Sequence, residues 1–226
     1  MKTKAFTLIE LLVVIAIIAT IAAFAVPALT SALTRGQMTG TLNSARQLYL
    51  AGYQMALDGS TNSDSNLSWP GDYASGVTTL QDYCTKLVQN DYLKGGDLPK
   101  VLSAPGSACT AAVDTSSDPA TVTLSGKSGV KVYRVKDTDA ANTIYAVSSN
   151  YAYNTALSTA NSPFGDKGFV VVHKGGDAVL LRKNNATLAN YGGSGNEVKF
   201  QSAVGKMTGD ADGTISAETG KFLTNP

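Results

Sequence analysis

The chain opens with a long apolar segment. Between Phe6 and Val26, every residue other than Glu10 is apolar or carries a small hydroxyl group. As an α-helix rising about 1.5 Å per residue, this segment spans roughly 31 Å, which matches the hydrocarbon core of a bilayer. Lys2 and Lys4 precede it, and basic residues favour the cytoplasmic side of a membrane. The pattern therefore predicts one membrane-spanning helix with its N-terminus in the cytoplasm.

A helical pattern continues beyond the apolar segment. Pro27 lacks an amide hydrogen, so we expect the helix to kink or open near it. Apolar and small residues then recur at helical spacing, namely Leu42, Ala45, Tyr49, Gly52 and Ala56. This spacing predicts an amphipathic helix over residues 27–58, and the sequence Asp58-Gly59-Ser60 predicts its end.

A second, short helix is predicted after a polar loop. Thr78 and Gln81 have the spacing of a capping box, which marks the start of a helix. An apolar stripe that includes Cys84 follows, and Gly95 with Gly96 predicts the end of the helix.

The remaining sequence predicts antiparallel strands. β-branched or apolar runs occur at residues 130–135, 143–148, 169–173, 178–182 and 197–201. Residues 174–177, with the sequence Lys-Gly-Gly-Asp, predict a hairpin turn. The predicted fold class is α+β: a long N-terminal α-helix, membrane-spanning in its first half, packed on an antiparallel β-sheet.

Charge and composition narrow the function classes. The formal net charge is +1 and 15% of the residues are charged, so no global field recruits nucleic acid, and we expect no nucleic-acid partner. A basic cluster at residues 127–136 is followed at once by Asp137 and Asp139. His173 is the single histidine, and no nucleophile–base motif accompanies it. The sequence therefore predicts that the chain is not an enzyme.

Glu10 is the exception within the apolar segment. Placing Asp or a basic residue at the centre of a membrane helix costs about 2.5–3.5 kcal/mol of insertion free energy. The presence of an ionisable side chain in such a helix therefore indicates a function. An ordinary signal peptide or a plain anchor is the alternative interpretation. The apolar core of a signal peptide, about 7–15 residues, is shorter than this segment.

The residues around Glu10 resemble a known signal. The sequence KTKA followed by FTLIELLVVIAII is similar to the prepilin signal of type IV pilins and type II secretion pseudopilins. One departure is Ala5, because the residue at that place in the family is usually glycine. The resemblance implies that a membrane peptidase cuts between Ala5 and Phe6 on the cytoplasmic side and methylates the new amine of Phe6.

The resemblance also assigns roles to particular residues. It makes Glu10 the acid that pairs with the Phe6 amine of a neighbouring subunit, and Pro27 the family's helix-kinking proline. The i, i+4 spacing of Phe6 and Glu10 also allows the pair to form within one chain, and the sequence does not choose between the two pairings. The implied organisation has four parts: a leader at residues 1–5, a transmembrane and assembly helix at 6–26, its amphipathic continuation at 27–58, and a periplasmic or extracellular globular domain at 59–226.

Two further sets of residues are candidate structural sites. Cys84 and Cys109 are expected to form a disulfide if the domain lies outside the cytoplasm, and to remain free thiols inside it. Asp210, Asp212 and Glu218 are candidate ligands of Ca²⁺, which some pseudopilins hold in a C-terminal loop. An Asp-Gly hairpin turn is the alternative, and we expect no other cofactor.

The sequence thus predicts a structural subunit of a type IV filament family assembly. We expect a type II secretion pseudopilin, with a type IV pilus pilin (adhesion, motility or DNA uptake) as the alternative. A bitopic membrane-anchored enzyme or binding domain is the alternative from another class. The resemblance implies copies of the chain or related pilin-like subunits, the prepilin peptidase and an inner-membrane assembly platform as partners. It places the chain in the bacterial inner membrane before assembly, and in a periplasmic or extracellular filament afterwards.

Overall fold

One long helix, α1, runs from Leu8 to Asn62. The computed structural model describes residues 7–73, 76–116 and 119–225. The chain divides into two compact units, with the boundary between Gly36 and Gln37, inside α1. The predicted leader and Phe6, residues 1–6, lie outside the described residues.

The first unit contains the apolar half of α1. Its large apolar side chains are exposed, from Leu8 at 82% to Leu33 at 56%. α1 is helical through Pro27, so the opening predicted there does not occur in the single chain. The hydroxyl groups of Thr30 and Ser31 donate to the Pro27 carbonyl oxygen at 2.9 and 3.0 Å, which adds hydrogen bonds to the turn that follows the proline.

From Gln37 onward, α1 has one buried face. The buried residues recur at helical spacing and are Met38, Thr41, Ala45, Leu48, Tyr49, Ala51, Gly52, Met55, Ala56 and Gly59. The helix continues to Asn62, so the end predicted at residues 58–60 was wrong. A Cβ atom on Gly59 would overlap the carbonyl oxygen of Leu67. Glycine is needed there because the returning chain approaches the helix closely, not because the helix ends.

The second helix, α2, spans Leu80–Gln89 and begins one residue later than predicted. The capping box assigned to Thr78 and Gln81 is formed instead by Thr79 and Asp82. Asp82 Oδ2 accepts from the Thr79 amide at 2.9 Å, and Thr79 Oγ1 accepts from the Asp82 amide at 3.1 Å. Aspartate serves here because its short carboxylate reaches the N-cap amide.

α2 is also shorter than predicted. It ends at Gln89, and two residues later Asp91 adopts a left-handed backbone with φ of 60°, which turns the chain. Gly95 and Gly96, predicted as the helix end, begin a separate 3-10 turn, Gly95–Asp97. That turn leads directly into a third helix, α3, at Leu98–Leu102.

Among the described residues, six strands form two antiparallel sheets, and the predicted α+β class is confirmed. The strands are β1 (Cys109–Asp114), β2 (Thr121–Gly126), β3 (Val130–Val132), β4 (Ile144–Ser148), β5 (Gly168–His173) and β6 (Ala178–Arg182). β1 pairs with β2 in a hairpin, and the other four form a sheet in the order β3-β4-β5-β6. The predicted turn at residues 174–177 joins β5 to β6.

One predicted strand is shorter than expected, and another was wrong. Residues 130–135 form a strand only over Val130–Val132, because the chain then pairs with the C-terminal segment through a bridge between Tyr133 and Phe222. Residues 197–201 belong to a fourth helix, α4, at Glu197–Ala203. The buried residues in and just after α4 are Phe200, Gln201 and Val204, which is helical rather than strand spacing.

Gly52 of α1 lies against two buried tyrosines in the core of the second unit. The hydroxyl oxygens of Tyr83 and Tyr145 are 3.1 Å apart. A Cβ atom on Gly52 would overlap the Tyr83 hydroxyl and lie 2.7 Å from the Tyr145 hydroxyl. Burial, with the neighbouring Tyr145, raises the pKa of Tyr83 well above its usual range, so the cluster stays neutral. This contact sets how closely α1 approaches α2 and β4.

We predict opposite effects for the same substitution at two glycines of α1. Gly52→Ala should lower the free energy of unfolding by about 1–3 kcal/mol through overpacking. Gly40→Ala should raise it by up to about 1 kcal/mol, because no atom lies within 4 Å of the added Cβ and alanine favours the helix. Denaturant unfolding of the full chain in detergent, followed by Trp69 fluorescence, measures both. Equal effects at the two positions would contradict the packing argument.

Candidate functional site

A capping box closes the N-terminal end of α1. Glu10 Oε2 accepts from the Thr7 amide at 2.8 Å and from the Thr7 hydroxyl at 2.7 Å. In return, the Glu10 amide donates to Thr7 Oγ1 at 3.3 Å. Thr7 is thus the N-cap residue and Glu10 the third residue of the helix. The sequence interpretation missed this role of Glu10, although the Thr-x-x-Glu spacing that signals it is visible in the sequence.

The apolar surface of α1 in the first unit is uncovered in the described chain. By length and composition, α1 can cross a membrane, and none of the residues of its most apolar window is buried. Exposing an apolar surface of this extent to water is unfavourable, because removing each Å² of apolar surface from water contributes about 25 cal/mol of favourable free energy. Such a surface requires lipid or partner helices around it.

The N-terminal sequence matches a known family model over residues 1–26, described as the prokaryotic N-terminal methylation motif. The chain carries a prepilin-type signal. This signal is found in type IV pilins and pseudopilins, and it confirms the resemblance. No curated protein and no solved structure matches the chain.

The signal and the helix together support one class of protein. The motif supports a type IV pilin-like or pseudopilin subunit, processed by a prepilin peptidase and assembled with pilin-like subunits. The signal and the apolar α1 fit anchoring in the inner membrane before filament assembly. The motif marks structural subunits, which as a rule are not enzymes.

The predicted processing residues stand as follows. Ala5 and Phe6 lie outside the described residues, so the cut between them and the pairing of the Phe6 amine with Glu10 stay predictions. Pro27 lies inside α1. Its role in assembly also stays a prediction.

The single histidine has a structural position. His173, at the end of β5, is buried. Its Nδ1 lies 2.6 Å from Asp177 Oδ2 and its Nε2 lies 3.1 Å from the Val204 carbonyl oxygen. Both ring nitrogens are therefore engaged, and the side chain ties the end of β5 to the residue that follows α4.

Cys84 and Cys109 are buried in the same part of the core. Cys84 lies on the buried face of α2, and Cys109 is the first residue of β1. Both are free thiols in the structure. Burial, with the electrostatic effect of nearby Cys109, raises the pKa of Cys84, and burial raises the pKa of Cys109. The structure places the two predicted partners in one core cluster, and the disulfide itself stays a prediction.

The three candidate calcium ligands are each paired with a different lysine. The pairs are Asp210 with Lys221, Asp212 with Lys206 and Glu218 with Lys131. The distance from Lys206 Nζ to Asp212 Oδ1 is 2.8 Å, and that from Lys131 Nζ to Glu218 Oε1 is 2.5 Å. The Tyr133 hydroxyl also donates to Glu218 Oε1, so burial and the carboxylate raise the Tyr133 pKa well above its usual range.

This arrangement does not fit a resident calcium ion. Ca²⁺ takes six to eight oxygen ligands, usually with several carboxylates directed at one point. Within the described ranges, no three His, Cys, Asp or Glu side chains converge in a way that could hold a metal. Each carboxylate is already neutralised by an ammonium group. All three lysines, Lys131, Lys206 and Lys221, lie outside the loop at residues 208–218, so the loop sequence alone did not reveal them.

Proposed function

We propose that this chain is a type II secretion pseudopilin. In this proposal it is cut between Ala5 and Phe6, methylated at Phe6 and polymerised through α1. Before assembly it spans the bacterial inner membrane once, with its N-terminus in the cytoplasm and its second unit in the periplasm. Its partners are copies of itself or related pilin-like subunits, the prepilin peptidase and an inner-membrane assembly platform.

The observation that carries the proposal is an uncovered apolar helix with one carboxylate near its start. In a membrane, lipid covers the first half of α1. Once the subunit leaves the membrane, only other apolar helices can replace that lipid, because water does not solvate the exposed side chains favourably. Copies of the same chain supply a matching surface. In a filament with the α1 helices at its centre, the apolar side chains of α1 therefore stay covered after they leave the lipid.

Glu10 is positioned to accept a second donor during assembly. Both hydrogen bonds from Thr7 end on Oε2, and among the described residues no donor is bonded to Oε1. Cleavage after Ala5 would create a positive amine at Phe6, four residues before Glu10. A neighbouring subunit's amine at Oε1 would neutralise both buried charges without breaking the cap, and the pair would fix the register of adjacent helices.

The mature N-terminus tests the assignment to the filament family. Mass spectrometry of the membrane-extracted chain should find a terminus at Phe6, carrying one methyl group. Ala5→Gly, which restores the residue usual in the family, should be processed at least as completely. An intact Met1, or a terminus after Ala25, would show an anchor or an ordinary signal peptide instead.

The choice between secretion and a surface pilus needs a separate test. We expect cells that lack the gene to lose secreted proteins while keeping their surface fibres. Loss of fibres with normal secretion would identify a type IV pilus pilin instead. A plasmid copy of the native gene, which should restore the lost phenotype, is the control.

A further inference from the structure

The ammonium group of Lys221 lies in a cradle of oxygen atoms near the C-terminus. Lys221 Nζ donates to the Thr208 carbonyl oxygen at 3.1 Å, to Ser216 Oγ at 2.5 Å and to Asp210 Oδ1. A lysine ammonium has three N–H donors and no acceptor. All three donors are used. A carbonyl, a hydroxyl and a carboxylate are also the oxygen types that bind hard metal ions.

Asp210 gives the cradle a buried charge. Its side chain is only 5% exposed. Its second oxygen, Oδ2, is buried and has no hydrogen-bond partner among the described residues. A buried carboxylate is strongly unfavourable without a counter-charge. Lys221 is the lysine paired with it, so the buried charge of Asp210 is balanced by that lysine.

The cradle is held in place from outside. The Arg134 amide donates to the Lys221 carbonyl oxygen at 2.8 Å. Thr208 Oγ1 donates to the Arg134 carbonyl oxygen at 3.1 Å and to Asp139 Oδ2 at 2.7 Å. Both ends of the segment from Thr208 to Lys221 are therefore attached to the chain that follows β3. The oxygen atoms are fixed by the fold and do not depend on Lys221 alone.

We propose that Lys221 is the internal cation of this loop, occupying the place of a divalent metal ion. Its ammonium closes residues 208–221 around Asp210, so the C-terminal segment folds without metal. Removing the side chain would leave an oxygen site with a free carboxylate, open to Ca²⁺. The inference concerns the second unit alone and stands or falls independently of the proposed function.

Thermal unfolding of the full chain in detergent micelles tests the role of the ammonium. Trp69 is the only tryptophan and is 5% exposed, so its fluorescence reports on the second unit. Lys221→Met should lower Tm by about 10 °C, because a buried carboxylate loses its partner. Lys100→Met is the matched control. Lys100 pairs with Asp97 at the surface, where its side chain is 81% exposed, so the change should be under about 2 °C. Equal shifts in the two variants would overturn the proposal.

A charge-neutral double variant separates the ion pair from general damage to the fold. Asp210→Asn combined with Lys221→Met removes both charges. We expect it to recover at least half of the Tm lost in Lys221→Met, because the orphaned carboxylate is gone. A double variant that is no more stable than Lys221→Met would overturn the proposal.

The effect of calcium chloride and of a chelator on Tm tests whether Lys221 takes the place of a metal ion. The Tm of the native chain should not change with either. In Lys221→Ala, calcium at ten times its dissociation constant should raise Tm by about 4 °C. A native chain that is stabilised by calcium or destabilised by chelator would overturn the proposal. So would calcium that has no effect on Lys221→Ala.

Discussion

Glu10→Ala should abolish filament assembly and leave the chain in the membrane. Insertion should be unchanged or improved, since a carboxylate within the apolar segment is unfavourable in lipid. Assembly should fail because the amine of a neighbouring Phe6 would be buried without a counter-charge, which costs about 3–5 kcal/mol per broken pair. At about 1.4 kcal/mol per tenfold, this weakens each subunit contact by more than a hundredfold. Carbonate extraction measures insertion, and electron microscopy of sheared filaments measures assembly.

A second substitution at the same position separates the charge of Glu10 from its capping role. Glu10→Gln removes the charge but keeps the capping box with Thr7, because glutamine also serves at the third helical position. If Glu10 pairs with an amine, this variant should assemble as poorly as Glu10→Ala. Normal assembly of Glu10→Gln would mean that only the cap matters. Normal assembly of Glu10→Ala would show that our account of Glu10 is wrong.

The sequence predicted correctly those segments whose local pattern is compatible with only one secondary structure. A long apolar run with a single charged residue is compatible with only one kind of element in lipid, so the first half of α1 was predictable. The Lys-Gly-Gly-Asp turn between two β-branched runs likewise predicted the hairpin of β5 and β6. By contrast, the prediction for residues 197–201 was wrong because Val198 and Phe200 alternate with polar residues as in a strand. The burial of Phe200, Gln201 and Val204 that makes it a helix depends on tertiary packing.

The hairpin of β1 and β2 shows a signal that was present but not used. In β2, Val122 and Leu124 are buried while their neighbours Thr121 and Thr123 are exposed, which is the alternation of a half-buried strand. β1 is weaker, because its two central alanines have little β preference. The hairpin therefore needed both strands to be considered together.

The candidate sites also differ in whether their residues are contiguous in the sequence. The prepilin-type signal is contiguous, so its residues were predictable from sequence. The lysine–carboxylate pairs join distant positions, as with Lys131 and Glu218, which lie 87 residues apart. Acidic residues in a loop predict affinity for a cation without saying which cation. The fold supplied lysines where the loop pattern had suggested calcium.

Oxidation of Cys84 and Cys109 should stabilise the second unit strongly. The two thiols are buried in one core cluster, on α2 and at the start of β1. Closing the loop between them contributes about 3.5 kcal/mol in the chain-entropy model. The bond would add to the existing contacts of α2 with the hairpin, in which Gln81 Oε1 accepts from the Leu124 amide at 2.9 Å. A subunit exposed to an oxidising compartment would then resist unfolding during assembly.

The native chain isolated from the cell envelope should contain no free thiol when unfolded without reductant. Reduction should lower its Tm by about 10 °C, the shift expected from the loss of that contribution. Cys84→Ser combined with Cys109→Ser is the control, because its Tm should be insensitive to reductant. Trp69 fluorescence again reports the unfolding. Two titratable thiols in freshly isolated protein, together with a Tm unchanged by reductant, would show that the cysteines serve only as buried packing residues.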